Sequence, residues 1–279
     1  MNKRKLILYS FVVVMVTSIS YIKYHNMNVN DIGLKVLSWV KKIKGDKVDL
    51  SSLINEDRPL ISHDAFTTLL NDNVTPEGNV NYKGFSENPS KFQEYLDDLS
   101  AHPPGKNWSE EEEMAYWINT YNAFTVKLII DNYPLRSIKD IGKGLPMISS
   151  PWDLKFFKIG ELDFDLNTIE HEILRKKFNE PRIHFAINCA SFSCPKLRNE
   201  AFVPERLEAQ LEDQTMSFIH NPAKNIINAN ETMLSKIFDW FASDFNKNES
   251  VLDFIKKYKP ILNKTNKVDY IDYGWELNE

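Results

Sequence analysis

Ile183-His184-Phe185-Ala186-Ile187-Asn188-Cys189-Ala190-Ser191-Phe192-Ser193-Cys194-Pro195 contains both cysteines of the chain, so any sulfur chemistry begins here. The apolar run at Ile183, Phe185, Ala186 and Ile187 is the pattern of a strand buried on both faces. Asn188 and Cys189 end it, and the small residues Ala190, Ser191 and Ser193 follow as a loop. A thiol carried on a loop at the end of a rigid element is well placed to react. Cys189 and Cys194 also suit the roles of small buried hydrophobes or of one local disulfide, because free cysteine is among the most buried residue types.

Working outward, the 279 residues are 42% hydrophobic and 12% aromatic, enough for one substantial core. The net charge of −5 is spread along the chain without a basic face, which sets nucleic acid aside. No Gly-rich phosphate loop, internal repeat or low-complexity tract occurs, so nucleotide binding has no support, and no cofactor is implied.

The N-terminus has the composition of a targeting segment. Met1-Asn2-Lys3-Arg4-Lys5 precedes the uncharged stretch from Leu6 to Ile22, a positive n-region followed by an apolar run. The run lies at the short end for a bilayer-spanning helix, and no Ala-x-Ala cleavage site is present. The expectation is an uncleaved signal anchor over residues 1–23, with export after cleavage as the alternative. Lys3, Arg4 and Lys5 favour a single-pass orientation with the globular part outside the cytoplasm, although Lys23, Lys35, Lys41, Lys42 and Lys44 weaken that bias. No cysteine follows the run to take a lipid. The partners implied are the membrane, through this helix, and a cell-envelope or protein substrate. Residues 24–60 read as a stalk, where Ile32, Val36, Leu37, Val40 and Ile43 make a weak helical stripe. Residues 61–279 read as a single globular domain.

Within that domain Asn71 to Gly84 reads as a turn and Phe92 to Leu99 as the start of a short helix. Ser109 and Glu112 have capping-box spacing at the head of a long helix that Pro134 stops. Asn122 falls within its apolar stripe and Asn119 at the edge, so the two amides either brace neighbouring backbone or line a site. Phe156 to Ile159 and Gly160-Glu161-Leu162 read as a hairpin. Asn167 and Glu170 repeat the capping-box spacing ahead of a second helix, where Glu170 either caps or functions and His171 lies at the edge of the apolar face. Pro204 to Ile219 and Ser235 to Phe245 read as helices, Asn225 to Ala229 and Val268 to Tyr273 as strands, and Tyr258 to Asn263 as the exit from a further short helix. The fold class is therefore α+β, mainly helical with a small, mostly antiparallel sheet, behind an N-terminal membrane-targeting helix. Trp108, Trp117, Trp152, Trp240 and Trp275 are assigned to the core or to a partner surface, with the core preferred.

Several of these segments together resemble the domain-of-unknown-function 547 family: Ala115-Tyr116-Trp117-Ile118-Asn119-Thr120-Tyr121-Asn122-Ala123, Ile169-Glu170-His171-Glu172-Ile173-Leu174-Arg175, and Arg182 to Ser191 with Ser193-Cys194-Pro195. The likeness continues through Leu234-Ser235-Lys236-Ile237-Phe238 and Asp272-Tyr273-Gly274-Trp275-Glu276-Leu277-Asn278, from about residue 90 to 279. The resemblance implies a domain without an assigned reaction, exported in bacterial members.

Four chemistries suit these residues. In the first, Cys189 is the nucleophile of a hydrolase or acyl transferase, His171 or His184 the base, and Asn122, Asn119 or Glu170 the orienting group. His171 is the better base if residues 183–187 are a strand, because His184 and Cys189 would then point to opposite faces. Metal binding by His171, His184, Cys189 and Cys194 is the second, although their spacing is unlike that of a structural zinc site. Thiol–disulfide exchange is the third, with Cys-x4-Cys wider than the usual redox motif. A non-catalytic interaction module with a structural Cys189–Cys194 pair is the fourth.

Overall fold

The long helix α4, Glu110–Ile130, organises the molecule, and local chemistry fixes where it starts. The Ser109 hydroxyl accepts from the Glu112 N–H while the Glu112 carboxylate accepts from the Ser109 N–H, closing the expected capping box. Four glutamates occupy its first turn, where the helix dipole favours anions. From Met114 to Val126 every residue is buried, so this helix is wrapped on all sides and has no solvated stripe. Trp117, fully buried, packs face to face with Phe164 and edge to face with Tyr116.

The computed structural model describes residues 50–87, 89–142, 150–247, 249–263 and 267–279. The targeting segment at 1–23 and the helical stripe of residues 32–43 lie outside them. No helix among the described residues is long and apolar enough to cross a membrane.

Of the three helices α1 (Asp64–Asn73), α2 (Tyr82–Glu87) and α3 (Pro89–Ala101), α2 and α3 pack against α4, and α1 packs on both of them. The turn expected over Asn71 to Gly84 is shorter than read: a bridge between Val74 and Val80 closes it, and Tyr82 already begins α2 with its ring buried. Leu53 belongs to the same core. The expected hairpin forms as β1 (Phe157–Ile159) and β2 (Leu162–Phe164), antiparallel around Gly160 at φ +56°. A π-helix, Thr168–Leu174, follows and runs into a last helical turn, α5 (Arg175–Lys177).

The apolar run of residue 183 onward is a helix, α6 (Ile183–Ala186), and not a strand. Turn bonds from His184 N–H to the Pro181 carbonyl and from Phe185 N–H to the Arg182 carbonyl wind it. It lies between two apolar clusters: Ile183, Ala186 and Ile187 join the core around α4, and Phe185 joins a second cluster with Phe218, Phe238, Phe245 and Phe254. A helix buried on every side has a continuous apolar sequence, which is also the signature of a central strand.

The second cluster is enclosed by α7 (Leu207–His220), β3 (Ile226–Ile227), β4 (Thr232–Ser235), α8 (Ile237–Trp240), α9 (Ala242–Phe245), α10 (Val251–Tyr258) and β5 (Val268–Ile271). The helix expected from Ser235 to Phe245 is therefore broken at Phe241. The strands form two small sheets rather than one, and the second is mixed: β3 pairs antiparallel with β4, which pairs in parallel with β5. The α+β class holds, with helix about half of the described structure.

Candidate functional site

After β5 the chain does not stop at the second cluster but crosses the cysteine loop. Phe192 N–H donates to the Glu276 carbonyl, Ser193 N–H to the Gly274 carbonyl, and Gly274 N–H to the Ser193 hydroxyl. The Tyr82 hydroxyl anchors the Asn278 amide oxygen at 2.7 Å. This tail delivers Tyr273 and Trp275 to the mouth of a cleft. The π-helix supplies Glu170 and His171 to it, α6 supplies His184, and α8 with Phe241 supplies a further wall.

The cysteine loop is tightly built. Its Cys189 and Cys194 are joined as a disulfide, with Cα atoms 6.1 Å apart. Asn188 carries the turn: its amide accepts from Ala190 N–H and donates to the Pro195 carbonyl. Ala190 sits at φ +56°, a strained conformation for a residue with a Cβ, directly beside Cys189. Cys189 as a resting nucleophile is thus corrected by the bond, since neither sulfur carries a thiol. The same bond removes Cys189 and Cys194 from the four-residue metal set. Among the described residues, no three His, Cys, Asp or Glu side chains stand close enough to hold an ion.

The two amides of α4 prove to be braces. Asn119 donates to the Phe202 carbonyl at 2.8 Å and accepts from the Phe202 N–H at 2.9 Å. Asn122 donates to the Ala186 carbonyl and accepts from the Asn188 N–H, spanning the end of α6 where the cysteine loop begins. Their hydrogen-bonding faces are occupied by backbone, so neither orients a histidine.

Glu170 and the histidines do come together. The expected Asn167–Glu170 capping box is absent, because Asn167 is already in helical conformation and Asp165 caps the Thr168 N–H instead. Glu170, freed from that role, is buried at the cleft floor, where the Tyr121 hydroxyl lies 3.4 Å from its carboxylate. Burial pushes its acidity constant from the ordinary 4.5 up to about 7, with Arg175 opposing the rise.

His184 bonds through Nε2 to Asp244 at 2.8 Å and stacks on Phe241, centroids 4.0 Å apart. Asp244 also receives a two-pronged contact from Arg175, at 2.5 and 3.2 Å. Burial alone would raise Asp244, but the hydrogen bonds from His184 and Arg175 outweigh it and hold the carboxyl far below its usual range. An ionised Asp244 only accepts, so His184 carries its proton on Nε2. The other nitrogen, Nδ1, is then a bare lone pair. Among the described residues it is buried without a hydrogen-bond partner, and it lies 4.0 Å from the Glu170 carboxylate. Burial lowers the basicity of His184, against the pull of Asp244, and keeps the ring neutral.

His171 stands differently. Its Nδ1 lies 2.9 Å from an Arg175 nitrogen, and a guanidinium can only donate, so that lone pair is occupied. Burial and the Arg175 charge both depress it. The ground for preferring His171 was the strand geometry of residues 183–187, and it falls with that strand.

Above this floor the walls are aromatic: Trp152, Trp240, Phe241, Tyr273 and Trp275 line a cavity of about 180 Å³. Trp152 and Trp275 are half-buried and Trp240 is exposed, so three tryptophans expected in the core line the cleft instead. Asp244 and Tyr273 were missed as functional residues. Asp244 has no local signal in its short polar segment, whereas Tyr273 stands in the closing motif Asp272 to Asn278 and was readable there only as a strand end.

This geometry lies largely within a segment that can be compared with known proteins. Residues 105–219 match the family model described as protein of unknown function, DUF547. The DUF547 match contains α4, Glu170, His171, His184 and the disulfide loop, and it ends before Asp244 and Tyr273. No curated protein and no solved structure gives a significant match.

Proposed function

We propose that the cleft is the active site of a hydrolase or acyl transferase in which Glu170 and His184 move the protons. One observation carries this reading. A neutral His184, fixed on one side by Asp244, points an unpartnered buried lone pair toward a carboxyl group that titrates near neutrality. A base held by a third group and free on its working face is the arrangement acyl-transfer sites use. A carboxyl titrating at about 7 both takes and returns a proton at working pH. The aromatic walls favour a ligand with a flat or apolar face. At about 180 Å³ the cavity is smaller than the ~300–1,000 Å³ of drug-sized sites, so it accepts one ring or side chain of a larger substrate. Cys189 enters as nucleophile only after its bond is opened.

We further propose that the domain works outside the cytoplasm on cell-envelope or protein material, tethered by residues 1–23. The positive n-region and apolar run support this, as does a disulfide, which persists in oxidising compartments.

The test uses the full-length oxidised protein in detergent with a panel of nitrophenyl esters and anilides from pH 5 to 9. Turnover is expected to change through about pH 7. Glu170→Gln and His184→Asn are expected to lower it roughly 100-fold or more. Equal rates in wild type and Glu170→Gln across the panel would overturn the enzyme reading and leave an interaction module. Turnover that requires reduction and is lost in Cys189→Ser would instead assign the chemistry to the cysteine.

A further inference from the structure

We propose that Cys189–Cys194 is an exchange-active disulfide: a low-molecular-weight organic thiol attacks Cys189 from the cleft, and Cys194 departs as the thiolate. The two sulfurs are treated unequally by their surroundings. Cys194 Sγ receives the Cys189 N–H at 3.0 Å and lies 3.3 Å from both the Ser191 and Tyr273 hydroxyls. Among the described residues, Cys189 Sγ has only those same two hydroxyls, each at 3.4 Å, and no main-chain donor. Each hydroxyl has one proton to give, so the fixed N–H decides the balance in favour of negative charge on Cys194. Burial pushes the Tyr273 phenol well above its ordinary range, so it is a protonated donor at any physiological pH.

Access runs the opposite way. Both cysteines line the cleft, but Cys194 is only 3% exposed, while Cys189 is half-buried beside Tyr273. The more exposed cysteine is therefore the one whose sulfur has fewer donors, and the more shielded one is built to hold charge. Exchange is fastest when the leaving thiol is the more acidic of the pair.

The step balances without another cofactor. The thiol first loses its proton to water. Its sulfur lone pair forms a bond to Cys189 Sγ as the Cys189–Cys194 bond breaks, and that electron pair passes to Cys194 Sγ. A second thiolate then attacks the adduct, releasing the oxidised dimer of the thiol and a Cys189 thiolate. The protein gains two electrons and two thiols are oxidised. None of this requires proton transfer by Glu170 and His184, so the two proposals fail separately.

The test treats the full-length oxidised protein briefly with 2-mercaptoethanol, quenches with acid and maps the adduct by low-pH peptide mass spectrometry. The expected result is the adduct on Cys189 with Cys194 free, in wild type and in Glu170→Gln alike. An adduct on Cys194, or a bond that opens only in denaturant, overturns the proposal. Ser191→Ala and Tyr273→Phe are each expected to slow opening about 3- to 10-fold, since donors to a charged sulfur are lost. Unchanged rates in both would mean that the donors do not serve the leaving group. In Cys189→Ser, absorbance at 240 nm is expected to place the Cys194 thiol below the ordinary value of about 8.5. A value at or above it would likewise count against the assignment. If that variant does not fold, the adduct map and opening rates of the folded protein still decide.

Discussion

Buried polar groups are handled in two opposite ways within a few ångströms of α6. At its end, Asn122 uses both faces of its amide on backbone, closing the Ala186 carbonyl and the Asn188 N–H. Beneath the cleft, among the described residues, Glu170 keeps only a long hydrogen-bond contact from Tyr121, and His184 keeps one nitrogen unpaired. The first arrangement holds the cysteine loop in place. The second leaves a buried carboxyl and a buried lone pair under-satisfied, which costs stability and persists only because surrounding structure imposes it. The contrast separates bracing from function better than residue type does, since Asn122, Glu170 and His184 are all polar side chains in one apolar setting.

The largest effect should come from breaking the brace. Asn122→Ala strands a buried carbonyl and a buried N–H, each costing about 1–3 kcal/mol, so a loss of roughly 3 kcal/mol is expected in urea denaturation. Asn119→Ala should behave alike at Phe202. A loss below about 0.5 kcal/mol at either position would erase the distinction, because the amides would then not be bracing anything.

The cleft should respond with the opposite sign. Glu170 is raised in the folded state from 4.5 to about 7, so the unfolded chain releases its proton first as pH increases. Stability from this group is fully present below about pH 4.5 and is lost as pH rises toward 7. The loss is about 3 kcal/mol as an upper bound. Glu170→Gln removes that decline, so the difference between variant and wild type should grow in the variant's favour from pH 5 to pH 8. Comparing the two proteins cancels other titrating groups, including His63, which burial lowers to about 4. A difference independent of pH would mean that Glu170 is an ordinary solvated carboxyl.

The smallest effect sharpens the site itself. The Tyr121 hydroxyl favours the ionised form of Glu170, so Tyr121→Phe should move that titration upward by less than about one unit, or 1.4 kcal/mol. Following the Glu170 carboxyl by NMR checks this; a downward movement would show that Tyr121 acts otherwise.

Legibility in the sequence followed the range of the interactions. The Ser109–Glu112 box and the hairpin around Gly160 depend on neighbours within a few residues, and both were readable. The second capping box failed although it had the same spacing, since Asp165 competed for the same helix start and took the Thr168 N–H. The run from Ile183 to Ile187 was misread because periodicity vanishes when all faces are buried. Among the site residues, Glu170, His171, His184, Asn119, Asn122 and Cys189 were named as candidates, yet their roles were not separable. Asn122 and Glu170 both looked like polar residues on an apolar arc.

The sequence alone determined the α+β class, the long capped helix, the family resemblance and the short list of polar residues, because capping, hairpin turns and motif spacing are written in local order. The tertiary structure decided that Asn119 and Asn122 brace, that His184 and not His171 faces Glu170, that Asp244 and Tyr273 complete the cleft, and that Cys189 is bonded to Cys194. Apart from the local Cys189–Cys194 bond and the approach of His184 to Glu170, those outcomes depend on which elements meet across gaps of 60 residues or more, from His184 to Asp244 and from Cys189 to Tyr273. Burial at those meetings, rather than residue identity, sets protonation and reactivity.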